Sequence, residues 1–410
     1  MNDGKKINVL IAVDTLLTGG AEIFALNLSK ALSENCNVTV FCKHSTKIDR
    51  ELINFHYPSI RLVTLCNPIL KLLSTIDSLL FRLNIDINLY DFAIRKFLCR
   101  FFIKESINIV HSHLSTVDFV VSKAVGEINT LGKRQIKHVL TVHGDYLSFE
   151  QRHLQRVKIY KLLNFEKKIR NLLYSSPKVV CISDMQMEFF NRYYKKLCLE
   201  ANPIKIYNGH QRGSVGHEQV FKNKKMLGIA PNDKVFGMVS RGIPEKGWDI
   251  TIKAFVKLLN IWPNTHLILV GESAYLKELA EENKHYSNIH FVGFSHNPVE
   301  WIKIFDIGLL LSHYKSESLP TVIIEYLSCG VPVIATNVGE IEKMISVNNS
   351  KLAGVLLSPS NLNITEIVSV MEDFIVNESS LQKRRELALQ AYAKFNMKDC
   401  LQKYLEVYDS

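Results

Sequence analysis

The chain has 410 residues, more than one hydrophobic core ordinarily supports, so two domains are expected. Hydrophobic residues make up 47% and charged residues 22%, with no low-complexity run and no short-period repeat, which excludes a disordered or solenoid chain and leaves an α/β protein. A net charge of +10 suits nucleic acid, anionic lipid or an acidic substrate, but no helix-turn-helix, zinc-finger spacing or RNP-type aromatic motif occurs, so nucleic acid is set aside as a partner.

The charge is unevenly spread. Through Arg212, 30 Lys and Arg stand against 18 Asp and Glu, and beyond it 20 stand against 22, so the first half carries +12 and the second −2. The eight cysteines are scattered without a C-x-x-C or a paired metal spacing, which points to reduced thiols in the cytoplasm. Near the start, the apolar run Ile7–Val13 is too short for a signal segment or a membrane span and reads as a first strand.

That strand runs into Asp14 and then Gly19 and Gly20, after which residues 23–32 read as a helix. Glycines there let backbone approach a ligand and the helix start presents N–H donors, although a glycine pair is more often a plain turn. Residues 37–42, 61–65, 107–111 and 139–142 read as further strands, the last ending at His143. Open parallel sheets bind ligands at the carboxyl ends of their strands, so His143 is a candidate contact, with a merely structural histidine as the alternative and His113 a weaker candidate. Strands at 178–183 and 205–208 complete a first domain, 1–210.

From about Gln211 the pattern restarts, opening a second domain over 211–390. Strand 235–240 feeds a glycine-bracketed loop in which Arg241 and Lys246 can reach one anion, naturally a diphosphate, before a helix over 250–259. Strands follow at 266–270, 289–292 and from Asp306. Ser316 and Pro320 can start a helix that carries Glu325 about a turn and a half further in, leaving Glu317 in the loop. A helix start attracts phosphate, a loop carboxylate can accept sugar hydroxyls, and a helical carboxylate can hold a ribose diol, so together they suit a nucleotide-sugar. Gly330 then stops the helix before a buried strand ending at Thr336. Residues 381–408 read as a helical tail, with 391–410 crossing back to the first domain.

The string from Glu317 through Leu319, Pro320 and Glu325 to Gly339 resembles the Glu-x7-Glu signature of retaining family-four glycosyltransferases of the GT-B fold, and Gly19-Gly20, His143 and Arg241 with Lys246 resemble that family's other motifs. The resemblance implies two Rossmann-like, doubly wound parallel-sheet domains facing a cleft. It implies transfer of a hexose or N-acetylhexosamine, with retention, from a UDP- or GDP-sugar to a hydroxyl of a glycan precursor, lipid-linked as in lipopolysaccharide, O-antigen or capsule synthesis. It further implies that Arg241 and Lys246 hold the diphosphate, Glu325 the ribose, His143 and Glu317 the sugar, Gly293 and Phe294 the base, and that Leu319 and Pro320 line the donor site. Gly19 and Gly20 would admit donor diphosphate and acceptor. Two departures stand out: Ser240 replaces a usual glycine, and Glu340 to Lys343 replace a usual Gly-Ile-Pro-Glu.

No Asp-x-Asp, Walker loop, Gly-x-Gly-x-x-Gly or Gly-x-Ser-x-Gly occurs, so neither metal nor other cofactor is expected and the cations must neutralise the leaving group. A nucleotide-sugar epimerase, a phosphorylase and a non-catalytic membrane or glycan-binding protein of the same fold are the competing readings. Residues 68–83 and 92–104 mix bulky apolar residues with Lys71, Arg82, Arg95, Lys96, Arg100 and Lys104, and Arg152, Arg156, Lys158, Lys161, Lys167, Lys168 and Arg170 follow, so a basic face that docks peripherally on an anionic cytoplasmic membrane is expected. Core helices carrying solvated charges are the alternative for the same segments.

Overall fold

The computed structural model describes all residues except 1–5, 67, 84, 86, 155–163, 176, 214, 315, 316, 349 and 350. Ser316, Arg156, Lys158 and Lys161, named above, lie outside the described residues. The chain forms two compact units, one of Met1–Gly209 with Met397–Ser410 and one of His210–Asn396.

The first unit is wound around a seven-stranded parallel sheet, β1 (Asn8–Val13), β2 (Asn37–Cys42), β3 (Arg61–Thr64), β4 (Ile109–His113), β5 (Lys137–Val142), β6 (Lys178–Cys181) and β7 (Ile204–Lys205), in the order β3-β2-β1-β4-β5-β6-β7. Its central strand β1 is a nearly continuous apolar run because both faces are covered. In β1, Val9, Ile11 and Val13 point into one core with Leu26, Leu28 and Leu32, while Leu10 and Ala12 point into another with Ile94, Leu98 and Phe102. The fourth strand lies two residues later than the sequence suggests, at Ile109–His113 rather than 107–111. Ser106 takes a left-handed φ of 53°, and pairing with β1 then begins at Ile109 against Val9. His111 is therefore inside the strand and not at its end.

The helix Met397–Asp409 closes the first core, burying Cys400, Tyr404, Val407 and Tyr408 among the residues of β1 and the helix Gly20–Leu32. Each such apolar burial contributes about 1.5–3 kcal/mol. The tail is not one helix over 381–408: Glu378–Tyr392 belongs to the second unit, and Asn396, extended at ψ 127°, breaks the chain before Met397.

The second unit holds β8 (Lys234–Val239), β9 (Thr265–Val270), β10 (Ile289–Gly293), β11 (Ile307–Leu310) and β12 (Val333–Thr336), a short antiparallel ribbon of β13 (Ser346–Val347) and β14 (Lys351–Leu352), and β15 (Gly354–Leu357). Its six-stranded parallel sheet has the order β10-β9-β8-β11-β12-β15. Both sheets are thus Rossmann-like and doubly wound, with the reversal of strand order falling between β1 and β4 in one and between β8 and β11 in the other. Among the described residues no helix is long and apolar enough to cross a membrane.

Candidate functional site

In the second unit, the loops leaving β8 and β11 meet at the reversal point, where open α/β sheets leave a crevice for ligands. After β8 the chain passes Arg241, turns through Pro244–Lys246 and enters the helix Trp248–Leu259 at Gly247. Gly247 has a φ of 85°, and a Cβ there would lie 2.2 Å from the Leu311 carbonyl oxygen, so the turn needs glycine to come against the loop after β11. Trp248, fully buried, donates from Nε1 to the Arg241 carbonyl at 3.0 Å and fixes the loop.

This folding buries Lys246 and pairs its Nζ with Oε2 of Glu317, which is itself 8% exposed. Ser312 places its hydroxyl 3.1 Å from the same carboxylate oxygen, and the Tyr314 ring lies 5.4 Å from Lys246 Nζ and 5.7 Å from the Arg241 guanidinium. Arg241 remains exposed. The Glu317 loop is braced from behind by the segment that departs from the family string: Gly339, at φ 58°, brings its Cα against the Glu317 carbonyl, and the Glu340 amide donates to the Ser318 carbonyl at 2.9 Å.

Buried Leu319 and Pro320 lead into the helix Thr321–Ser328, whose start has no side-chain cap and no acidic residue in its first turn. Glu325 is half-buried on this helix, and its carboxylate has no hydrogen bond or ion pair among the described residues. Burial pushes its pKa up to about 7. Next to it, Tyr326 is fully buried and its hydroxyl accepts from the Val239 amide at 2.9 Å, which locks this helix to the end of β8. Gly293 is the left-handed end of β10, and its carbonyl accepts from the Gly271 amide at 2.9 Å beside the Ser240 carbonyl that precedes Arg241. Phe294 is 45% exposed and meets His296 edge to face. Arg241, Lys246, Gly293, Glu317, Leu319 and Pro320 therefore stand along one carboxyl edge of this sheet.

The first unit gathers different groups at the same edge. Asp14, after β1, accepts from the Thr116 hydroxyl, after β4, while its other oxygen is buried without a partner. Gly19 begins the helix Gly20–Leu32, and the Glu22 carboxylate lies over it while accepting from Thr15 at 2.7 Å. His143 follows β5; its Nε2 lies 3.0 Å from His113 Nδ1, and both rings pack on Phe24 of that same helix. Behind them His111 bridges Tyr408 at 2.7 Å and Thr141 at 2.8 Å, and Thr141 meets Tyr404 at 2.8 Å. Burial pushes the His143 pKa down to about 3 and those of His111 and His113 well below the usual range, so the cluster is neutral.

Sequence reasoning missed Ser312, Tyr314, Thr116 and the two C-terminal tyrosines. Tyr314 sits only three residues before Glu317, which was a usable signal; Tyr408 reaches His111 across 297 residues and Tyr404 reaches Thr141 across 263, which no local pattern reveals. Among the described residues no group of three or more His, Cys, Asp or Glu is placed to hold a metal ion.

Two family models match, one to each unit: Glycosyltransferase Family 4 over residues 18–209 and Glycosyl transferases group 1 over residues 219–394. With the two doubly wound sheets, these matches make the chain a glycosyltransferase of the GT-B type. It is similar to N-acetyl-alpha-D-glucosaminyl L-malate synthase of Bacillus anthracis, 21% identical over 78% of this chain and 79% of that one. A shorter match is to the lipopolysaccharide core biosynthesis mannosyltransferase LpsB of Rhizobium meliloti, 27% identical over 34% of this chain and 41% of that one. Among solved structures, Anabaena Alr3699/HepE in complex with UDP and glucose shares the fold at a TM-score of 0.73 and 20% identity, covering 98% of this chain and all of that one.

Proposed function

We propose that the protein transfers a hexose or N-acetylhexosamine from a UDP- or GDP-sugar to a hydroxyl of a lipid-linked surface-glycan precursor, with retention and without a metal ion. The observation that carries this reading is the buried Lys246–Glu317 pair at the reversal of the second sheet, with exposed Arg241 on one side of it in the chain and the unpaired, half-buried Glu325 on the other. Two relatives support it in kind: LpsB is named as a mannosyltransferase, and HepE was solved with UDP.

In this reading Arg241 and Lys246 hold the diphosphate, and Lys246 divides its charge between Glu317 and the phosphate oxygens. Glu325 accepts the ribose diol, Gly293 and Phe294 border the base, and Leu319 and Pro320 shape the floor. Glu317 and His143 orient the sugar, His143 as a neutral hydrogen-bonding group. Gly19 and Gly20 admit donor and acceptor once Glu22 swings aside. The acceptor oxygen bonds to the anomeric carbon as the bond to the diphosphate breaks, and the hydroxyl proton leaves with the nucleoside diphosphate. Preorganised cations at a developing charge typically account for about 3–4 kcal/mol each.

Incubation with a panel of nucleotide-sugars, with and without EDTA, tests this. Release of one nucleoside diphosphate at an unchanged rate under chelation is expected; no release from any donor would remove the assignment, and loss on chelation restored by manganese would remove its metal-free form. We further propose that the protein docks on the cytoplasmic membrane face, a reading supported by the helix Pro68–Arg82, which turns Ile69, Leu72 and Leu79 outward beside Lys71 and Arg82. The helix Leu89–Lys104 instead buries Ile94, Leu98 and Phe102 against the sheet, so it supports docking less than its composition suggests. Sedimentation with anionic liposomes, reversed by salt, is the expected result; recovery in the supernatant throughout would refute docking.

A further inference from the structure

A cavity of about 870 Å³ opens within the first unit, bounded by the chain after β2, by the helices Pro68–Arg82, Leu89–Lys104 and Ser115–Thr130, and by the start of Phe165–Tyr174. None of the residues discussed so far as donor contacts lines it. We propose that this cavity binds a glycolipid carrying a phosphate between sugar and apolar chain, which names the acceptor class and rests on the transferase reading above.

The first observation is charge. Two carboxylates line the cavity and both are committed: Asp77 accepts from the amides of Leu89 and Tyr90 at 2.7 and 2.9 Å, and Asp91 pairs at 2.7 Å with buried Lys43. Lys47, Arg82, Lys123 and Lys167 line it too, exposed and without an ion pair among the described residues. Among the described residues no carboxylate pairs with these cations, and low-dielectric walls concentrate such a field on an anion. Lysine and arginine supply charge-assisted hydrogen bonds to phosphate oxygens from several directions.

The second observation is that the walls between those cations are aromatic. Phe81, Phe92, Phe119 and Phe149 line the same space, and Phe92 and Ile87 at its border are 52% and 50% exposed. Beyond them Leu79 and Leu83, 53% and 69% exposed, extend the apolar surface along and past the helix Pro68–Arg82. A free sugar phosphate would leave these residues in water. A chain of methylenes would cover them, at about 0.8 kcal/mol for each CH2 buried.

The third is position. Lys43 and His44 follow β2 and Thr116 follows β4, so one wall of the cavity is the carboxyl edge of the first sheet, and Thr116 donates to Asp14 across the strand reversal. A phosphate held by Lys123 and Lys167 leaves the attached sugar free to extend toward that edge.

Calorimetric titration of the full chain with monomeric decyl phosphate, decyl glucoside and inorganic phosphate tests the proposal without turnover. Decyl phosphate is expected to bind at least about tenfold more tightly than either control, a difference of about 1.4 kcal/mol. The double substitution Lys123→Ala with Lys167→Ala, confined to exposed side chains, is expected to weaken decyl phosphate at least about tenfold and leave UDP affinity within about twofold. Equal affinity for the glucoside would overturn the phosphate requirement, equal affinity for inorganic phosphate would overturn the lipid, and an unchanged double variant would overturn the cavity as the site. Failure of every nucleotide-sugar to bind would instead remove the transferase reading, and the amphiphile titrations would still stand or fall by themselves.

Discussion

At the strand reversal of the second sheet opposite charges are buried together, Lys246 against Glu317, with Arg241 and Tyr314 around them. At the reversal of the first sheet the Asp14 carboxylate accepts from the Thr116 hydroxyl in the field of buried Lys43, whose ion pair is with Asp91, and the neighbouring histidines are held neutral by burial. In the proposed reading the same winding sets where a ligand goes in each unit, while side-chain chemistry sets which kind. A charged pair can exchange one partner for an incoming anion, and a neutral network of rings and hydroxyls matches the hydroxyls of a sugar.

The sharpest way to break this contrast is Lys246→Ala. It should lower turnover at least about a hundredfold and, by stranding Glu317 as a buried charge, cost about 3–5 kcal/mol of stability. Adding Glu317→Gln should restore most of the stability and none of the rate. A double variant as slow as expected but no more stable than the single would show that the pair is not the unit described here. Arg241→Ala should lose a similar factor in rate, about a hundredfold, with an unfolding midpoint like that of the parent because Arg241 is exposed; near-normal turnover would take the diphosphate away from this loop.

In the first unit the equivalent probe is Thr141→Val. It keeps the shape but removes the shared hydroxyl, leaving His111 Nε2 and the Tyr404 hydroxyl buried and unmatched, at about 1–3 kcal/mol. Hydrogen exchange in Met397–Asp409 should accelerate with it, and unchanged protection would mean that the network does not anchor that helix. The smallest expected effect concerns Glu325. With a pKa near 7, its carboxylate is mostly protonated at pH 6 and mostly ionised at pH 8. Nucleotide affinity should therefore rise about tenfold over that interval, and Glu325→Gln should flatten the profile. Stability runs the opposite way: an acid whose folded pKa is raised contributes less as pH climbs from its unfolded value toward 7.

Much of this was legible beforehand for a physical reason. Strands buried on both faces are unbroken apolar runs, so β1, β2 and β8 could be placed within a residue, and the repeated strand-loop-helix rhythm gave the doubly wound class. The pairing of Lys246 with Glu317 was not legible, although both residues were singled out, because it depends on β11 lying next to β8 and not on spacing along the chain. The shift of β4 and the break at Asn396 escaped for a related reason. Both are set by backbone geometry, a left-handed Ser106 and an extended Asn396, at residues whose side chains announce nothing.

The helix Met397–Asp409 has a temporal consequence. Its tyrosines complete a core whose other members run from Val9 in β1 through Ile109, Val139 and Val180 to Ile206, all translated before the second unit. On the ribosome the opening unit must wait, with its apolar sheet face incompletely covered, until the whole of His210–Asn396 has been translated. At about 5–20 residues per second that interval is some tens of seconds. The second unit, contiguous in sequence, can finish folding before the first, and the nascent chain has reason to be a chaperone client throughout that wait.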